Sequence, residues 1–313
     1  MRFFVSSGLL LIAGCAGKAS DSDDSERLSD EVSEDTVPST ADGCASATEA
    51  QSQLMLGKTI DGLSRRFRFS APAVDAGVKL PLLIAFHGAD GADYPFPDQD
   101  GFEALVESEG VIMVYPVAEL VRPNEGEWQL NTSPSAMHDI HFVEEILDEM
   151  SSRYCVDEQR IYATGYSLGS MFTYEMACHM SDRFAAVASY AGTMPVSPNS
   201  CDLDGSMAVM HIHGQDDDLI SYDNSWDWKE WDTVGPMMDI PSLVDFWSEK
   251  NNCQNTEVSD SASGVHVVHD DCDGNVRVEH HGLEDVGHEW PRRIGGNDPY
   301  RVIWDFVSDF RKQ

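Results

Sequence analysis

The chain has 313 residues, with 20 Lys+Arg against 55 Asp+Glu and a formal net charge of −35. Like charges repel, so this balance argues against nucleic acid or an anionic membrane surface as a partner. With 42% hydrophobic residues, seven Trp and thirteen Phe the chain is not disordered throughout, and no apolar run after the N-terminus reaches the roughly 18 residues of a membrane span.

Residues 1–14 read as a secretion signal. Arg2 gives a positive start, Phe3 to Ala13 is a short apolar run, and Leu11-Ile12-Ala13-Gly14-Cys15 resembles a bacterial lipobox. On that reading Cys15 is the lipid attachment site, and the protein is exported, either anchored to the cell envelope (outer membrane or cell surface) or secreted. The membrane is then met only through the N-terminal lipid. Residues 15–53 follow as an acidic tether of Asp, Glu, Ser, Thr and Ala, too poor in large apolar side chains to offset its ordering entropy. One large folded domain is expected over residues 54–313, as a monomer.

Setting Cys15 aside leaves six cysteines, an even number suited to three disulfides in an oxidising compartment. Sequence alone leaves their pairing open. No CxxC pair occurs, so a cysteine zinc site is not expected, and neither a metal nor a cofactor is called for.

The body alternates strands and helices. Apolar runs at Leu80–Phe86, Val111–Tyr115, Arg160–Thr164, Ala185–Tyr190 and Met207–Ile212 are continuous rather than alternating, as strands buried on both faces of a parallel sheet require. Between and after them, Ile140, Val143, Ile146, Leu147 and Met150 recur at helical spacing, as do Leu243, Phe246 and Trp247, and then Val302, Ile303, Phe306, Val307 and Phe310. A last strand is expected over Val276 to Glu279, after an Asp273-Gly274 turn. Strands alternating with helices define an α/β fold with a mostly parallel central sheet. The notable motifs fall at the C-terminal ends of these strands, where open parallel sheets carry their sites.

Gly165-Tyr166-Ser167-Leu168-Gly169 follows a strand and precedes a helix expected from Ser170 to Met180. This is the G-x-S-x-G context in which a sharp turn projects a serine hydroxyl and a helix N-terminus offers backbone N–H groups to a developing oxyanion. Ser167 is therefore the candidate nucleophile. A serine hydroxyl needs a base. His288, in the glycine-flanked loop Gly287-His288-Glu289-Trp290-Pro291, is the candidate; His280 and His281 fall at a strand end, and His138 and His141 on a solvated helix face. The third member is a carboxylate between serine and histidine in chain order, and Asp216, Asp217 and Asp218 all follow the strand that ends at His213-Gly214. A calcium site is the rival reading of these three acids, but alternating ligand spacing is missing. His87-Gly88-Ala89-Asp90-Gly91 ends the first strong strand, and the backbone N–H groups of Ala89 and Leu168 are assigned to the oxyanion hole.

Taken together, Phe86-His87-Gly88, Gly110 to Pro116, Tyr154-Cys155-Val156-Asp157, Arg160 to Ser167, Ala177-Cys178, Phe184 to Ala188, Ala191-Gly192, His213-Gly214, Trp247 with Cys253, and Gly287 to Pro291 resemble one family. It is the α/β-hydrolase esterase family that contains poly(3-hydroxybutyrate) depolymerases and the feruloyl and acetylxylan esterases of carbohydrate esterase family one. The resemblance implies an α/β-hydrolase fold, with helices on both faces of the sheet, and a serine carboxylesterase acting on polymeric or polymer-derived esters. It implies Asp217 as the acid, four residues after His213, and a Cys253–Cys272 disulfide. Cys178–Cys201 and Cys44–Cys155 are the other expected pairs, the last left open. Tyr166, Trp290, His87 and Trp128 are expected to line the substrate, and the Trp226, Trp228 and Trp231 segment to form a wall or lid over it or to cover the core. One departure is Ser170, where the family has a second glycine after the elbow. A serine peptidase of the same fold and a catalytically silent glycan-binding surface protein are the alternative readings.

Overall fold

A computed structural model describes residues 43–89, 96–122, 125–133, 137–227 and 234–312. Cys15, the signal and most of the tether lie outside these residues, as do Asp90, Gly91, Trp228 and Trp231.

In chain order the strands are β1 (Gln51–Ile60), β2 (Leu63–Ala71), β3 (Leu80–Phe86), β4 (Ile112–Pro116), β5 (Glu119–Arg122), β6 (Glu125–Glu127), β7 (Val156–Tyr166) and β8 (Ala186–Tyr190). They continue with β9 (Ala208–Gly214), β10 (Trp226–Asp227), β11 (Pro236–Met237), β12 (Asn255–Ser261), β13 (Gly264–Asp270) and β14 (Val278–Leu283). The helices are α1 (Gln99–Glu109), α2 (His138–Arg153), α3 (Leu168–His179), α4 (Ile240–Lys250) and α5 (Pro299–Ser308).

Ten strands form one sheet in the order β1-β2-β4-β3-β7-β8-β9-β14-β13-β12. The middle six, from β4 to β14, run parallel, and an antiparallel hairpin extends each edge. The expected apolar runs are these parallel strands. The period-2 pleat sends alternate residues of β3 into different layers. Leu82, Ile84 and Phe86 join the core under α2, α3 and α4, whereas Leu83 and Ala85 join the core under α1 and α5. Strand β7 runs longer than expected, to Tyr166, and so delivers its last residue directly to the turn at Ser167.

The folded body begins ahead of the expected boundary at residue 54. Thr48 exchanges backbone hydrogen bonds with Val74, β1 starts at Gln51, and Cys44 is bonded to Cys155 at the junction of α2 and β7. A polar stretch without large side chains is held here by backbone pairing and a covalent bond, neither of which leaves a hydrophobic pattern. The other bonds are Cys178–Cys201 and Cys253–Cys272, so the three pairs are those expected.

The Cys44–Cys155 bond closes a loop with a sequence separation of 111, against 23 and 19 for the others. Loop-closure entropy makes the longest loop the most stabilising, at about 5 kcal/mol. Cys44→Ser with Cys155→Ser should lower the unfolding free energy by about that amount in denaturant titration. A loss below about 1 kcal/mol would show that the segment is held without the bond.

Candidate active site

Ser167 sits between β7 and α3 with φ 54° and ψ −120°, a left-handed conformation costly for a residue with a Cβ. The two flanking glycines make room for it. A Cβ on Gly165 would collide with the Gly169 carbonyl and the Thr173 hydroxyl, and a Cβ on Gly169 would collide with the carbonyls of Phe86 and His87. The turn is thus pressed against the end of β3, and a Cβ on Gly88 would lie 3.2 Å from the Cβ of Ser167. The Ser167 N–H donates to the Tyr190 carbonyl at 2.9 Å, anchoring the turn to β8 as well. Ser170, the departure from the family pattern, is buried and shares a hydrogen bond with the Ser189 hydroxyl.

His288 lies in the loop after β14. Its Nε2 is 2.8 Å from Ser167 Oγ and its Nδ1 2.7 Å from Asp217 Oδ2. A carboxylate accepts, so Nδ1 carries the proton and Nε2 is left to accept from the serine hydroxyl. The structure therefore brings together the three residues picked from sequence, and Asp217 rather than Asp216 or Asp218 makes the contact.

Two loops are stitched to permit this. The Gln215 N–H donates to the Leu283 carbonyl at 2.8 Å and the Asp216 N–H to the Val286 carbonyl at 3.0 Å. The acid loop after β9 and the histidine loop after β14, neighbours in the sheet, are thus tied to each other. Two tyrosines hold the histidine loop from below: Tyr166 OH donates to the His288 carbonyl at 2.8 Å and Tyr190 OH to the Glu289 carbonyl. The rings of Tyr166 and Tyr190 stack, and Trp290 packs edge-on against both.

Asp217 has no side-chain exposure. Burial by itself would raise its pKa, but hydrogen bonds from His213, His288 and the Ile220 N–H outweigh burial and hold the carboxyl well below the usual range. Its Oδ1 accepts from the N–H groups of Leu219 at 2.9 Å and Ile220 at 2.7 Å. Behind it runs a buried line of imidazole rings. His213 Nε2 is 2.9 Å from the Ile220 carbonyl and 3.2 Å from Asp217 Oδ2. Both of those partners accept, so His213 Nδ1 must accept in turn, from His211 Nε2–H at 3.1 Å. His211 Nδ1 then accepts from Tyr174 OH at 2.7 Å. Burial first, and the neighbouring His213 and His280 rings second, push His211 far below the usual imidazole range. His280, buried beside it, donates to the His211 carbonyl at 3.0 Å and is pushed down to about 3 by burial.

Two of the expected substrate-lining residues have another place. The His87 ring is buried, with Nδ1 2.7 Å from the Gly88 carbonyl and Nε2 accepting from the Ala118 N–H at 3.0 Å. Trp128 is 2% exposed, stacks on Phe172 and donates to the His87 carbonyl at 2.8 Å. Their polar atoms are used internally, so the pair braces the end of β3 instead of lining a substrate surface. Ala89 follows on that braced strand end, while Leu168 opens α3, where the first N–H groups have no partner within the helix. Tyr166 and Trp290 remain half-buried at the histidine. His138 and His141 are exposed and share Asp61, as a solvated helix face would.

Sequence reading missed Tyr190, Tyr174 and Glu175. Glu175 is buried and accepts from the N–H groups of Asn131 at 2.8 Å and Thr132 at 3.0 Å, tying the loop before α2 to α3. A carboxylate within an otherwise apolar helix was the available signal, since a buried charge requires partners.

A parallel sheet with a serine on the strand-to-helix turn defines an α/β-hydrolase. Residues 60–280 match the esterase family model ("Putative esterase"), and the chain belongs to that family. It is similar to the bifunctional acetylxylan esterase/xylanase of Neocallimastix patriciarum, with 28% identity over 255 residues that cover 81% of this chain and 34% of that protein. Feruloyl esterase B of Piromyces equi is 22% identical over 234 residues, covering 74% of this chain and 42% of its own. The chain therefore spans between a third and a half of the length of these two relatives. Among solved structures, the acetyl xylan esterase from Aspergillus awamori superposes with a TM-score of 0.54 at 14% identity, covering 81% of this chain and 98% of that one, a likeness of fold.

Proposed function

We propose that the protein is an exported serine carboxylesterase that cleaves acetyl or feruloyl esters of extracellular polysaccharides or their fragments through an acyl-enzyme on Ser167. One observation carries the reading: the unbroken hydrogen-bonded line from Asp217 through His288 to Ser167. In this scheme Ser167 Oγ attacks the ester carbonyl while His288 Nε2 takes its proton. Asp217 keeps the imidazole in the accepting tautomer and stabilises the imidazolium without taking the proton itself. The N–H groups of Leu168 and Ala89 receive the oxyanion. His288 returns the proton to the departing alcohol, and water repeats the cycle on the acyl-enzyme.

The names of the relatives support the substrate class, and the resemblance of Leu11 to Cys15 to a lipobox supports export to where such polymers lie. The test is a panel of p-nitrophenyl acetate, methyl ferulate, acetylated xylan and poly(3-hydroxybutyrate), each with a Ser167→Ala control. Release of acetate or ferulate that vanishes in the control is the expected result. Preference for the polyester would move the substrate class to depolymerases, and inactivity of a folded protein on all four would overturn the esterase reading.

A further inference from the structure

On the other face of β14 from His280 lies a group unconnected to the serine site. Strands β13 and β14 pair in a register that sets His266 opposite His281 and Val268 opposite Glu279. Residues 279 and 281 are two apart on one strand, so their side chains share a face, and cross-strand pairing adds His266 to it. The two imidazole rings stack face to face, 4.2 Å between centroids and 5° from parallel. Both point Nε2 at one atom: Glu279 Oε1 is 2.9 Å from His266 Nε2 and 3.1 Å from His281 Nε2.

We propose that His266, Glu279 and His281 form a binding site for a divalent transition-metal ion of the zinc type, clamping β13 to β14. Two imidazole nitrogens and one carboxylate oxygen are a donor set suited to Zn2+. Zn–N and Zn–O bonds of about 2.0–2.2 Å in a tetrahedron separate the donors by roughly 3.3 Å. The observed 2.9 and 3.1 Å N···O separations are within a few tenths of an ångström of that. An Nε2 lone pair lies in its ring plane, however, and the two planes are parallel, so binding turns the His266 ring, the more exposed of the two, out of the stack until both planes meet at the ion. Each ring would then carry its proton on Nδ1 and offer the Nε2 lone pair to the ion.

The surroundings fit an ion as well as the donors do. The second oxygen of Glu279 accepts from Arg277 Nε at 3.0 Å, which fixes the carboxylate's orientation and leaves Oε1 for the metal, an outer-shell arrangement common around metal-bound carboxylates. Arg277 is in turn held by Asp309 at 3.2 Å and packs over Phe306 and Phe310. A cavity of about 540 Å³ adjoins the group, lined by His266 and Glu279 and also by Asp270 and Asp271. It gives an entry path and room for a water as fourth ligand, and its acids favour cation approach. The three donor residues are partly buried, with side-chain exposures of 39% for His266, 12% for Glu279 and 15% for His281.

The experiment is a Zn2+ titration of the purified, untagged protein, read by calorimetry and by melting temperature. The expected result is one Zn2+ bound per chain and a melting temperature raised by about 5 °C when free Zn2+ is a hundredfold above its Kd. His266→Gln, at the most exposed of the three positions, should leave the metal-free melting temperature within about 1 °C of the parent and abolish both effects. Glu279→Gln and His281→Asn should abolish them too, and His138→Gln with His141→Gln should not. Co2+ gives a second readout, since tetrahedral coordination produces strong visible bands that the His266 variant should lack. No stoichiometric binding, or binding that survives His266→Gln and is lost with His138 and His141, would overturn the proposal.

Discussion

Replacing Asp217 with Asn should lower kcat on an activated ester by about ten-thousandfold while leaving KM and the fold nearly unchanged. The reason is tautomeric. Asp217 accepts from His288 Nδ1–H at 2.7 Å, which leaves Nε2 free to accept from Ser167. An asparagine can present its NH2 to Nδ1, which then becomes the acceptor and shifts the ring proton to Nε2. That nitrogen can no longer take the serine proton. The side chain keeps its volume, the remaining oxygen can still receive the N–H groups of Leu219 and Ile220, and His213 Nε2–H, which loses its acceptor on residue 217, keeps the Ile220 carbonyl, so the loop has little reason to move. Steady-state kinetics with a melting curve decides it. A loss under about tenfold would mean that the carboxylate does not orient His288.

Gly169→Ala should be severely damaging for so small a substitution, costing about 3 kcal/mol of stability and most of the activity. The added methyl would strike the carbonyls of Phe86 and His87 at the end of β3, both backbone atoms that cannot swing aside as a flexible side chain could. Relief requires α3 to back away from β3, which drags Ser167 from His288 and disturbs the strand end braced by His87 and Trp128. A shift of about 1 Å in a reacting group is enough to cost a hundredfold in rate. Denaturant unfolding and kcat measured on the same preparation give the answer; a variant as stable and active as the parent would show that the contact yields at no cost.

Much of this site could be read from the chain because it is built locally. Gly165 to Gly169 holds a strand end, a turn and a helix start within five residues, and the strain at Ser167 is resolved by glycines visible in the sequence. The choice of Asp217 over its neighbours came from a family resemblance, and its physical cause lies in tertiary structure: Asp216 N–H is spent on the Val286 carbonyl, and this leaves the next side chain facing His288. His87 and Trp128 were expected at the substrate because they stand near a motif, yet burial turned their polar atoms inward. The hairpin of β12 and β13 has a different reason for being hard to see in the chain. Every residue of β12 is exposed, so the strand is held by backbone pairing to β13 and shows no apolar alternation. The pairing of His266 with His281 depends on that unseen register, which is why a sequence reading that expected no metal had nothing to set against it.

Ser167 is the residue expected to be acylated, and an active-site-directed phosphonofluoridate tests this most directly. Ser167 Oγ would attack phosphorus, fluoride would leave, and the serine proton would pass to His288. Mass spectrometry of the digested protein should find one adduct per chain, on the peptide that contains Ser167, appearing in step with loss of esterase activity and absent from Ser167→Ala. Activity that persists at full occupancy, or an adduct on a different residue that accounts for the loss, would contradict it.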